Sequence, residues 1–169
     1  PLVLKIANNL LGDIPILGCS SLGIITNKGI FKHGFAILLI SLNQQIFLNL
    51  ARVKDVNKKT AIVAGRELGE KLLSGRKDVR RSLSLIFSDG LISDGTSLIN
   101  GIQENLGRSF PLIGASASDN FAFAKTFQYF NKDVLTDSCC GLLFGGKINF
   151  GLGIKHGWKA LGKIRYVTK

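Results

Sequence analysis

Two short stretches of this chain hold the residues best placed to do chemistry: Gly18-Cys19-Ser20-Ser21 and Gly114-Ala115-Ser116-Ala117-Ser118-Asp119-Asn120. Each follows an apolar run containing proline, Ile14-Pro15-Ile16-Leu17 and Phe110-Pro111-Leu112-Ile113. Each therefore reads as the carboxyl end of a buried strand, where glycine admits close approach to the backbone and serine supplies a hydroxyl. Brought to one cleft, they would make a small polar pocket with hydroxyl donors and the carboxylate of Asp119. The plainer alternative is that Gly-x-Ser is strand-end turn chemistry. Asp89, just past another apolar run, poses the same choice between receiving a ligand's ammonium group and closing an Asx-turn.

Cys19 is the best nucleophile candidate. A thiol needs a base or a positive field to bring its pKa down from about 8.5. The two histidines, His33 and His156, lie far from it in sequence and in no catalytic spacing. The serines lack a Gly-x-Ser-x-Gly elbow, because Leu22 intervenes before Gly23. A buried structural thiol is the simpler reading, and no enzyme is expected. Cys139 and Cys140 are adjacent, so on a strand they face opposite sides, one core and one surface. No CxxC or Cys/His spacing suggests a metal, and no phosphate loop or dinucleotide fingerprint suggests a cofactor. We therefore expect reduced thiols, no metal and no cofactor.

The elements that position these residues follow from periodicity. Leu2 to Leu11 fits a helix closed by Gly12. Strands are expected at 14–18, 23–26, 34–40 and 45–50, with a turn at Asn27-Lys28-Gly29. Ala61, Ala64, Leu68, Leu72 and Leu73 mark an amphipathic helix within 58–74. A strand at 82–87, a helix at 96–106 and strands at 110–114, 126–130, 139–144 and 148–154 complete the order. The fold class is α/β: two repeated β-α-β-β-β halves in mixed sheets with helices outside, in α-β-β-α layers. The repeat rests on the two Pro-containing runs, each preceded by a helix ending in glycine. It predicts that residues 14–40 superpose on 110–144. It also predicts a strand preceding residue 1, in line with the absence of methionine.

Composition narrows the class. The chain has 169 residues, 46% of them hydrophobic and 20% charged, which excludes a disordered chain and suits one domain. Its longest apolar stretch, Phe35 to Ile40, is far short of the roughly 20 residues a membrane helix needs. No signal peptide is visible, so a cytoplasmic protein without membrane contact is expected. The net charge of +11 sits in residues 52–81 and in the tail from 147. A nucleic-acid patch is one reading, but no aromatic stacking platform accompanies it. A solvated helix face is the other, and no nucleic-acid partner is expected.

At these residues the chain resembles the N-terminal part of the FIST domain, a proposed intracellular sensory domain. Gly18-Cys19-Ser20-Ser21-Leu22-Gly23 is similar to the family's Gly-Cys-Ser-Thr-x-Gly strand end, with serine in place of threonine. Gly114-Ala115-Ser116-Ala117-Ser118-Asp119 is similar to its Gly-Gly-x-Ala-x-Asp motif, with alanine as second residue. Thr126–Phe130 and Gly141–Gly146 resemble the strands that follow. His156-Gly157-Trp158 and Val167-Thr168 resemble the linker to a C-terminal half. The resemblance implies one domain over 1–169, cut at its N-terminus and lacking its C-terminal partner. It implies a small polar ligand, such as an amino acid, and a signalling output. Ligand contacts are then expected at Gly18, Cys19, Ser20, Ser21, Gly114, Ser116, Ser118, Asp119 and Asn120. Trp158 is expected to pack on the C-terminal half. A protein-interaction scaffold using the basic helix 58–81, or a thiol enzyme using Cys19, are the alternatives.

Overall fold

The computed structural model describes residues 2–43, 45–75, 79–159, 161–162 and 166. Its centre is a four-stranded sheet in the order β4-β9-β5-β6, formed by β4 (Phe47–Lys54), β9 (Ser138–Gly145), β5 (Arg81–Ser88) and β6 (Leu112–Ser116). β9 runs antiparallel to both neighbours, and β5 and β6 run parallel. A parallel pair needs a crossover, here the helix α3 (Gly95–Leu106). Asp94 caps that helix, its carboxylate accepting from Ser97 N at 2.9 Å.

Side chains alternate across the sheet. Ala51, Val53, Ile86, Cys139 and Leu143 face α3 and α2 (Ala61–Leu73) and meet Leu68, Leu72 and Ile102 in the main core. Leu83, Leu142 and Phe144 face the other way and pack with Leu17, Leu50 and Ile113. Both faces of β9 are covered, so Cys139 and Cys140 are both fully buried. The expectation that one would be at the surface is corrected by that second layer. The helices α2 and α3 approach closely at glycines. A methyl group at Gly65 would lie 2.2 Å from Leu98 O.

The second layer is a three-stranded sheet, β1-β7-β8, of β1 (Leu17–Cys19), β7 (Gln128–Phe130) and β8 (Asp133–Leu135). β2 (Ile24–Thr26) and β3 (Gly29–Phe31) form a separate hairpin around the expected turn. α1 (Leu2–Leu11) stands beside the β7–β8 turn, where Asn8 Nδ2 donates to Asn131 O at 3.2 Å, and buries none of its residues.

The α/β class is as expected, with helices on one side of a mixed sheet and a second sheet on the other. The proposed halves differ in place. Helix, strand and hairpin recur as α1-β1-β2-β3 and α3-β6-β7-β8, but β1 pairs antiparallel with β7 while β6 pairs parallel with β5. The two segments therefore have different strand neighbours. The expected strands at 34–40 and 148–154 are not formed. Residues 35–43 and 147–159 carry no regular structure, and Ile37, Leu38, Leu39 and Ile40 are 55–83% exposed. Apolar alternation proposes a strand, but only a hydrogen-bonded neighbour makes one.

Candidate functional site

The parallel strands β5 and β6 end side by side at Ser88 and Ser116, whose hydroxyl oxygens lie 3.3 Å apart. Beyond Ser116 the chain crosses to β1. Ser118 N donates to Ser20 O at 3.0 Å, Ser20 N donates to Phe127 O at 2.8 Å, and Phe127 N donates to Ser20 Oγ at 3.1 Å. Three strand ends thus meet, and the two Gly-x-Ser stretches are in direct contact. Ser20, Ser118 and Asp119 are half-buried, while Ser21, Ser116 and Asn120 are exposed. Ser21 Oγ turns away to donate to Gly23 O at 2.9 Å.

Asp119 shapes the loop that follows. Its Oδ1 accepts from Phe123 N at 3.0 Å, and its Oδ2 accepts from Ala124 N at 2.7 Å and Lys125 N at 2.9 Å. Those backbone donors hold its pKa below the ordinary carboxylate range. Inside the clasp, Asn120, Phe121 and Phe123 adopt left-handed backbone, with φ of 59°, 64° and 50°. Non-glycine residues resist that conformation, at about 1–3 kcal/mol each. The clasp also displays the phenyl rings of Phe121 and Phe123 to solvent, 68% and 75% exposed.

The glycines have packing reasons of their own. A methyl group at Gly114 would fall 2.0 Å from Ile86 O on the neighbouring strand, and one at Gly90 would fall 1.8 Å from Ala117 O. Gly114 thus serves the β5–β6 contact, and Gly18 meets Tyr129 at an ordinary 3.4 Å.

Asp89 takes the Asx-turn alternative. It is buried, its Oδ1 accepts from Leu91 N and its Oδ2 from Asp137 N, both at 2.8 Å. Asp137 in turn accepts from Asn57 N at 2.8 Å, tying β9 to the 3-10 turn Val56–Lys58. Beneath the site lies a buried polar chain that the sequence reading did not single out. Ser138 Oγ donates to Gln128 Oε1 at 2.6 Å, and Gln128 Nε2 donates to Thr126 Oγ1 at 3.1 Å. Gly90 N donates to the same hydroxyl at 3.2 Å. A glutamine inside an apolar strand was the available signal, since buried polar groups must find partners. Ser88 offered no signal without the parallel register.

Burial raises the thiol pKa of Cys19, and raises that of Cys140 to about 11. This is opposite to the shift an activated nucleophile needs. Among the described residues no group of three or more His, Cys, Asp or Glu is gathered as for a metal, and no helix is long and apolar enough to cross a membrane.

Order of motifs, α/β class and meeting strand ends agree with a family whose pattern spans residues 1–169, the FIST N domain. The chain belongs to the FIST N domain family. Membership points to a sensory domain in signalling. The chain is also similar to the uncharacterized protein MJ1623 of Methanocaldococcus jannaschii, 24% identical over 161 residues. That match covers 91% of this chain and 30% of the relative's length. No solved structure matches.

Proposed function

We propose that this FIST N domain senses a small polar ligand at the junction of Ser20, Ser116 and Ser118. The observation that carries the reading is the 3.0 Å bond from Ser118 N to Ser20 O, which joins the two serine-bearing strand ends. The Ser118 hydroxyl makes no hydrogen bond among the described residues, and Ser20 Oγ keeps its own proton to donate. A carboxylate has roughly four acceptor sites. Asp119 uses three, so one site on Oδ1 remains for an ammonium or amide donor of the ligand. An amino acid fits this chemistry. The strained clasp at 119–125 is the kind of segment found at ligand sites.

The C-terminal half and a signalling output are the partners in this reading, with Trp158, exposed here, facing that half. We place the domain in the cytoplasm and assign it no catalytic step, since burial disfavours the Cys19 thiolate. A scaffold built on the basic helix has less support. Lys59 and Lys71 pair with Glu67 and Arg66 pairs with Glu104, so those charges are already answered. Residues 76–78 of that stretch lie outside the described residues.

A thermal-shift screen against amino acids and small polar metabolites tests the proposal. A ligand present at 100 times its Kd should stabilise the domain by about 2.7 kcal/mol. The shift should shrink in Ser118→Ala. A hit unaffected by Ser118→Ala and Ser116→Ala, or no hit across the panel, argues against a ligand at this junction.

A further inference from the structure

Two thiols from different layers face the same gap. Along β1, Leu17 and Cys19 share a face, because side chains alternate on a strand. That face is the inner one, since Leu17 packs with Leu83, Leu142 and Phe144 of the main sheet. Cys19 lies opposite Gln128 of β7, whose Oε1 accepts from Ser138 Oγ of β9 at 2.6 Å. This end of β1 and β7 is therefore also turned toward β9. Along β9, Ser138, Cys140, Leu142 and Phe144 share the face that receives them. Arg52, the partner of Cys140 on β4, lies on that face too, its guanidinium 4.9 Å from the centre of the Phe130 ring of β7. β1 and β9 approach within 8 Å between Cα atoms. The thiols are near enough that charge on Cys19 raises the pKa of Cys140. Cys139, one residue away, points to the helices instead.

We propose that Cys19 and Cys140 are a site of reversible oxidation, joined by a hydroperoxide into a disulfide that ties the second layer to the main sheet. Cys19 is half-buried and Cys140 fully buried, so the oxidant meets Cys19 first and Cys140 resolves it. The Cys19 sulfur attacks the peroxide. An S–O bond forms, the O–O bond breaks, and one water leaves with the thiol proton. The Cys140 sulfur then attacks the sulfenic acid on Cys19. An S–S bond forms, the S–O bond breaks, and the hydroxyl leaves with the Cys140 proton as a second water. Two thiols are oxidised and one peroxide is reduced. A disulfide spans Cα atoms about 4.4–6.8 Å apart, so closure draws the three-residue strand β1 slightly inward. Burial keeps both thiolates scarce, so the step is slower than at an activated cysteine. A reversible bond also suits a cytoplasmic protein, where disulfides are transient. This inference does not rest on the ligand reading, although Cys19 adjoins Ser20.

Hydrogen peroxide on the folded 169-residue chain tests it, with thiols counted in denaturant and unreduced peptides mapped by mass spectrometry. The count should fall from three thiols to one, the chain should stay monomeric, and dithiothreitol should restore all three. Fragment ions should assign the bond to Cys19 and Cys140. The oxidised chain should melt about 5 °C or more above the reduced one. The bond should form equally in Cys139→Ala and not at all in Cys140→Ser. The mapping is done on the natural chain, so the result does not hang on a variant's folding. Three thiols surviving excess peroxide overturn the proposal, as does a Cys139–Cys140 bond or a bond that forms only in urea. A Cys19–Cys19 dimer between chains, or Cys19 driven to sulfinic acid while Cys140 stays a thiol, overturns it equally.

Discussion

The backbone amide of Ser118 donates to the backbone carbonyl of Ser20, across 98 positions of sequence, at 3.0 Å. Neither residue lies in the same sheet as the other's strand. The bond therefore joins the two layers at one end of the molecule. The Ser20 hydroxyl fastens the same point by accepting from Phe127 N. In Ser20→Ala that amide loses its acceptor. The expected loss is about 1 kcal/mol, a fall in melting temperature of about 2–4 °C, read by calorimetry.

Asp119 holds its loop only while ionised. Its folded pKa is lowered by the amides of Lys125, Ala124 and Phe123. A lowered folded pKa means the contribution is complete above the ordinary carboxylate range and is lost as pH falls through the folded value. Amide exchange at residues 123–125, corrected for its intrinsic pH dependence, should show protection at neutral pH that disappears in strong acid. Asp119→Asn should remove it at pH 7 and raise chymotryptic cleavage at Phe121 and Phe123 by about tenfold. Equal protection in both proteins would show that the carboxylate does not hold the loop.

Asp89 is buried and serves two backbone donors, Leu91 N and Asp137 N. In Asp89→Ala both are stranded in a dry site. The expected cost is about 2–4 kcal/mol, measured by urea unfolding. A change below half a kilocalorie would mean that water replaces the carboxylate.

Gly90 lies against Ala117 O with no room for a methyl group. Gly90→Ala must push the 117–125 loop away and should cost about 1–3 kcal/mol. It should also weaken the response to any ligand found in the thermal screen, while a ligand bound elsewhere would be indifferent to it.

The thiols make a chemical prediction. Burial raises the pKa of Cys19 and more strongly that of Cys139. Iodoacetamide at pH 7.5 should label half-buried Cys19 slowly, faster as pH rises, and Cys139 and Cys140 only on unfolding. Fast labelling of Cys19 at neutral pH would reopen the thiol-enzyme alternative.

Local pattern determined much of this protein. The periodicity of Ala64, Leu68 and Leu72 made α2, and Gly12 closed α1 with φ of 65°. The apolar runs at 82–87, 110–114 and 139–144 became β5, β6 and β9, and β9, buried along its whole length, follows the rule that a strand covered on both faces is written as a continuous apolar segment. The two Gly-x-Ser stretches were visible as strand ends, and they do meet. Tertiary structure decided the rest. The sequence similarity of 14–18 and 110–114 says nothing of neighbours, and pairing placed β1 beside β7 and β6 beside β5. The run at 34–40 reads like the others, yet among the described residues it pairs with no strand, and an apolar strand exists only as part of a sheet. Asp89 and Asp119 look alike in sequence, each just past a strand. One is buried between Leu91 N and Asp137 N, and the other clasps three amides at the surface. What a carboxylate does is set by the donors that reach it, and only the folded backbone brings them there.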